Sequence, residues 1–142
     1  METAQIVSFA WKIAENLDND SKSVSIKRTE EDRYVTNFEC KTANTALSFS
    51  LTLRDITGSP EFHAGSRTFI PTEKKEEKQV AKTYSFQISN SGNGHQTIVT
   101  DLQKDSDAEF ADVYNAFEKL YNSLLRASEK NLSSDVDAII NG

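Results

Sequence analysis

The sequence predicts an α+β domain. Its expected plan is a single antiparallel sheet of about five or six strands, meander-like, with an N-terminal helix plus one long and one short C-terminal helix packed on one face. Three observations carry this. Apolar residues recur at helical spacing at both ends of the chain, alternating segments fill the middle, and most connections between those segments are short enough for hairpins.

The first helix is expected over Thr3 to Leu17. Ile6, Phe9, Ala10, Ile13 and Leu17 fall on one stripe, and Val7, Trp11 and Ala14 widen it. The polar run "DNDSK", Asp18 to Lys22, stops it. A short strand follows around Val24 to Lys27. Arg33 to Lys41 then sets Tyr34, Thr36, Phe38 and Cys40 on one side. Ala46 to Arg54 is the clearest alternation, with Leu47, Phe49, Leu51 and Leu53 inward. Val80 to Ile88 repeats it with Tyr84, Phe86 and Ile88. Gln96 to Leu102 closes the series with Ile98 and Leu102 inward, after an Asn93-Gly94 pair suited to a turn needing positive φ.

The covering helix is expected to open on a capping box, Ser106 with Glu109, and to run to about Lys130. Phe110, Val113, Tyr114, Phe117, Leu120, Tyr121, Leu124 and Leu125 form its apolar stripe. A separate short helix is expected from Ser133 or Ser134, carrying Val136, Ile139 and Ile140.

Length and composition set the outer bounds. The 142 residues suit one domain, 1–142, with a long loop or arm at 57–79. An apolar fraction of 37% and a charged fraction of 27% describe a globular chain with a hydrophilic exterior. No apolar run approaches the length of a membrane span. The N-terminal stretch carries Glu2, Lys12 and Glu15 and does not read as a secretory signal, and the lone Cys40 suits a reducing compartment. The expected location is cytoplasmic.

Charge is unevenly placed. Residues 101–142 hold nine acids against four bases, while residues 32–100 hold seven acids against eight bases. No segment supplies the excess of Lys and Arg that a phosphate backbone needs, so nucleic acid is not an expected partner.

Catalytic equipment is thin. Cys40 sits on the inward side of a strand, where cysteine behaves as a small hydrophobe, and His63 and His95 lie in a loop and at a hairpin. Cys40, His63 and His95 have no zinc-ligand spacing. The acids Asp101, Asp105, Asp107 and Glu109 lack the glycine and ligand alternation of a calcium loop, and read as first-turn acids matched to a helix dipole. No glycine opens a helix as a phosphate loop would. The expectation is no enzyme, no catalytic residues, no metal and no cofactor.

Two surfaces remain. The outward side of the sheet is rich in short polar residues: Ser48, Ser50, Thr52, Thr83, Ser85 and Thr97, with Gln87 and Val99. The arm at 57–79 is long for an unstructured connection, and such connections are commonly functional. Ser66 to Ile70 reads as a short edge strand ended by Pro71. Phe62, Phe69 and Ile70 are apolar where a linker needs none, and Arg67 beside Phe69 makes a familiar anchor pair.

The function expected from these features is a non-catalytic protein-binding module, acting through Phe62, Arg67, Phe69 and Ile70 of the arm or through the polar sheet face. A self-assembling structural subunit, a homo-oligomer of viral or other assembly type, is the first alternative. A small-ligand binder or enzyme is the second, with a pocket between sheet and helices lined by Trp11, Tyr34, Tyr84 and Tyr114. Partners are therefore another protein or a second copy, with no membrane.

Overall fold

A computed structural model describes residues 1–44, 46–57, 81–104 and 108–142. The elements run α1 (Thr3–Asn19), β1 (Ser25–Asp32), β2 (Val35–Lys41), β3 (Leu47–Asp55), β4 (Lys82–Asn90), β5 (Gln96–Leu102) and α2 (Ala108–Asn141). The strands form one sheet in the order β1-β2-β3-β4-β5, every neighbouring pair antiparallel. The α+β class, the single antiparallel sheet and the helices at both ends are as the sequence predicts. No helix of the described residues is long and apolar enough to cross a membrane.

Local chemistry explains the boundaries. At the start of α1 the Gln5 side chain accepts a hydrogen bond from the Glu2 backbone N–H at 3.1 Å, half of a capping exchange. Asx residues open the tight turns: Asp32 accepts from Tyr34 N–H at 2.7 Å and Asn90 from Gly92 N–H at 2.8 Å. Gly94 takes the positive φ, +73°, that the Asn-Gly pair implied.

The inner face of the sheet is apolar across β3 and β4 and lies under both helices, with Arg28, Glu30 and Thr36 toward the β1 edge. One row across it is Ile26, Cys40, Phe49 and Ile88; the next is Arg28, Phe38, Leu51 and Phe86; a third is Glu30, Thr36, Leu53 and Tyr84. Phe9 of α1 meets Phe49 edge-on at 5.4 Å, and Phe117 of α2 stacks on Phe86 at 4.9 Å. Tyr114 lies 5.3 Å from Tyr84, and Tyr121 lies 5.5 Å from Phe38. Phe38, Leu51, Phe117, Leu120 and Leu124 are wholly buried.

These contacts fix the course of α2. It covers Tyr84 of β4 early, Phe38 of β2 seven residues after Tyr114, and reaches Ser21, just ahead of β1, at Asn131. Seven residues advance a helix about 10 Å, close to two strand spacings. The helix therefore crosses the sheet from β4 toward β1 on a diagonal and outruns the edge strand.

The structure differs from the sequence reading at three described places. First, the short strand around Val24 to Lys27 extends to Asp32, with an irregular register between Glu30 and Asp32. Second, β5 is turned over. Val99 pairs with Phe86 and Thr97 with Ile88, so these two face inward, while Ile98 pairs with Gln87 and points outward, 56% exposed. Leu102 regains the inner face because the three steps from Val99 to Leu102 oppose the two from Phe86 to Tyr84, a bulge in which Asp101 takes φ +51°. Alternation read from Leu102 backward thus mislabels everything before the bulge. Third, the expected long and short C-terminal helices are one continuous helix of 34 residues. Neither Gly nor Pro occurs between Phe110 and Ile140, and the "NLSS" segment that suggested a break costs only tenths of a kcal/mol per residue in helix propensity.

Candidate interaction site

The continuity of α2 creates the most distinctive surface. Tyr114, Leu125 and Val136 are spaced by eleven residues, three turns of an α-helix, and so share one side. Tyr114 is buried against Tyr84 and Leu125 packs at the margin of the core, but Val136 has no sheet beneath it. Leu132, Ile139 and Ile140 flank Val136 on that side and are 65%, 83% and 71% exposed. From Leu132 to Gly142 every residue is exposed. The expectation that Val136, Ile139 and Ile140 pack on the domain is therefore not met.

Polar contacts mark the point where α2 departs. Ser21 Oγ donates to Asn131 Oδ1 at 2.8 Å, and Asn131 Nδ2 donates to the Ser21 carbonyl at 2.9 Å. One turn or more earlier, Asp18 near the C-terminus of α1 receives Lys119 Nζ and Arg126 Nη2, each at 3.1 Å. Partial burial opposes ionisation of Asp18, but hydrogen bonds from Lys119, Arg126 and Ser123 prevail and hold its carboxyl below the usual range. An acid at a helix C-terminus is disfavoured by the dipole, and the two cations of α2 offset that.

The diagonal of α2 also leaves one corner of the inner face bare. A hollow of about 400 Å³ lies there, lined by Arg33, Tyr34, Thr36, Leu53, Asp55 and Tyr121 among others. The Arg33 guanidinium sits 5.4 Å from the Tyr34 ring at its rim.

The outer face is polar, and no described element covers it. Ser48 and Ser89 hydroxyls approach to 3.4 Å, and Thr52 Oγ1 donates to Asn37 Oδ1 at 2.8 Å. A shallow concavity of about 510 Å³ includes Lys27, Glu39, Lys41, Ser48, Ser50 and Ser89. Thr97 and Val99, which the sequence reading assigned to this face, lie on the other side, and Ile98 takes their place.

The remaining sequence candidates fall as follows. Phe62, Arg67, Phe69 and Ile70 lie outside the described residues, as do the Ser66 to Ile70 strand, His63 and Ser106 of the expected capping box. Cys40 is buried, and burial, with Glu39 adding to it, pushes its thiol up to about 12. Among the expected pocket residues, Tyr84 and Tyr114 stack within the core, Tyr34 lines the hollow and Trp11 is half exposed on α1. The Tyr84 hydroxyl is buried without a hydrogen-bond partner among the described residues, and burial, then Tyr114, raises its pKa. Among the described residues no three His, Cys, Asp or Glu side chains gather as a metal site.

Compared with known proteins, the chain matches no protein-family model, no curated protein and no solved structure.

The distal surface of α2 was missed in the sequence because its stripe looked like one more core helix. The eleven-residue spacing that carries Tyr114 through to Val136 was the available signal. It says that the stripe resumes at Leu132 beyond Ser128 and Glu129, and hence that a straight helix outruns the five described strands.

Proposed function

We propose that this protein is a non-catalytic protein-interaction module whose contact surface is the distal part of α2. One observation carries the reading: the side of α2 that bears Tyr114, Tyr121 and Leu125 continues into Leu132, Val136 and Ile139, with Ile140 beside them, where no described strand lies beneath the helix. Contiguous exposed apolar side chains rimmed by charge mark contact surfaces in soluble proteins. Here the rim is Glu129, Asp135 and Asp137. The aromatic packing between sheet and helices supports an interaction role over a ligand pocket, since Phe86, Phe117, Tyr84 and Tyr114 fill that layer.

The test is an Ile139→Asp/Ile140→Asp double variant. Both residues are exposed, so its circular dichroism spectrum should match that of the parent, and so should its melting temperature at concentrations where the parent has no partner bound. Cross-linking in native extract, for another protein, or light scattering of the purified protein, for a second copy, should show contacts present in the parent and lost in the variant. Unchanged contacts in both assays would sink the reading.

A further inference from the structure

We infer that the partner at this surface is a second copy of the chain, joined through β1 about a two-fold axis at Thr29. This rests on the interaction reading above and names its partner. Three independent features of the fold converge on it.

The first is the open edge. β1 lies at one end of the sheet order, so one row of its backbone N–H and C=O groups has no strand partner among the described residues. Such an edge is a template for a further strand. The second is charge. Within one chain Arg28 Nη2 meets Glu30 Oε1 at 2.9 Å. Antiparallel self-pairing centred on Thr29 also sets Arg28 opposite the partner's Glu30, and Glu30 opposite the partner's Arg28, joining two separate pairs into one four-charge cluster. Lys27 then faces the acidic end at Glu31. Opposite charges directly across an antiparallel ladder are favourable, whereas a register centred on Lys27 or Arg28 sets like charges face to face. The sequence of this strand, basic then acidic, is self-complementary in one register. The irregularity between Glu30 and Asp32 ends regular pairing at Glu30, so the strand contact is short and needs support.

The third feature supplies that support. Asn131 holds the outgoing helix beside Ser21, at the Ser25 end of β1. Rotation about Thr29 brings the Asp32 end of the partner's β1 to that place, and with it the partner's bare corner. The hollow there contains Tyr34, Thr36, Leu53 and Tyr121, with the charges of Arg33 and Asp55 in its lining. Leu132, Val136 and Ile139 would lie over those groups, and Asp135 and Asp137 beside the partner's Arg33. The arrangement is isologous, each copy giving one helix and one hollow, so it closes at two. Among the described residues of one chain no sheet lies beneath the overhang and nothing covers the hollow; the second copy would provide both.

Sedimentation equilibrium on the full chain over a concentration series tests this. The parent should dimerise. Arg28→Glu, which sets two like-charge pairs across the axis, should weaken the dimer about tenfold or more. The exchange Arg28→Glu/Glu30→Arg restores complementarity and should return the affinity to within a few-fold of the parent. Thr29→Cys reads the register directly. Opposed residues in an antiparallel pair lie about 4.5–5.5 Å apart at Cα, within disulfide reach, so mild oxidation should link two copies at the axis. Arg28→Cys, two positions off register from its own copy, should not link. Buried Cys40 stays silent in both.

A parent that stays monomeric throughout overturns the inference while leaving binding to another protein intact. So does a dimer that Ile139→Asp weakens but Thr29→Cys fails to cross-link or Arg28→Glu leaves unchanged. A dimer indifferent to both Ile139→Asp and Arg28→Glu removes the second copy from this surface altogether.

Discussion

Ser21 and Asn131, 110 positions apart in the chain, hold each other through two hydrogen bonds of 2.8 and 2.9 Å. The pair ties the turn after α1 to the last point at which α2 touches the domain. Before it one side of α2 is buried in the core, and after it every residue is exposed.

Asn131→Ala should therefore reduce stability by about 1–2 kcal/mol, the range for losing a hydrogen-bonded partner at a partly buried site. Urea unfolding followed by circular dichroism measures this. In hydrogen exchange, protection should fall in the turn at residues 20–23 before it falls in the sheet. A change confined to residues 132–141 would show that the pair does not anchor the turn.

Phe117 is wholly buried against Phe86. Phe117→Ala should cost about 3–5 kcal/mol, as for other large buried aromatics. Ile139→Ala, exposed on the same helix, should change the stability of the single chain by less than about 0.5 kcal/mol when measured at protein concentrations too low for self-association. Equal effects at the two sites would contradict the projecting helix.

The hydroxyl of Tyr84 is buried without a partner among the described residues. Tyr84→Phe keeps the ring contacts with Tyr114 and Tyr121 and removes only that oxygen. It should raise stability by about 1 kcal/mol, because an unmade buried hydrogen bond is a cost, and the urea midpoint should move up. A comparable loss would show that the oxygen is bonded.

Asp18 gives the fold an acid sensitivity. Its folded carboxyl is held below the usual value of 3.8, so its contribution is present above that value and is lost as pH falls through the folded one. Asp18→Asn should lower the urea midpoint at neutral pH and converge with the parent in strong acid. Parallel curves across the range would remove Asp18 from the linkage.

Cys40 should be inert to thiol reagents in native buffer and react on unfolding, since only the thiolate attacks. Its pKa is raised from 9.0 to about 12, so the contribution of the neutral thiol is full below 9 and declines as pH rises toward 12. Cys40→Ala should flatten that alkaline decline. Fast native labelling would mean that the inner face opens at β2.

The sequence by itself determined the class of fold, because periodicity is local. Leu47, Phe49, Leu51 and Leu53 can share a face only in a strand, and Phe110 through Leu125 only on a helix. Asn93-Gly94 dictated its own turn. What only the tertiary structure decided lies where local pattern has two readings or none. The inner side of β5 depended on a bulge, one added residue at Asp101 that exchanges Ile98 for Val99, and strict alternation cannot register it. The exposed apolar surface of α2 depended on a length: about 50 Å of continuous helix laid across the five described strands. Leu132, Val136 and Ile139 read like core residues because their spacing is that of core residues. They are exposed because the sheet stops at β1, and the width of a sheet under a helix is a property of the assembled fold.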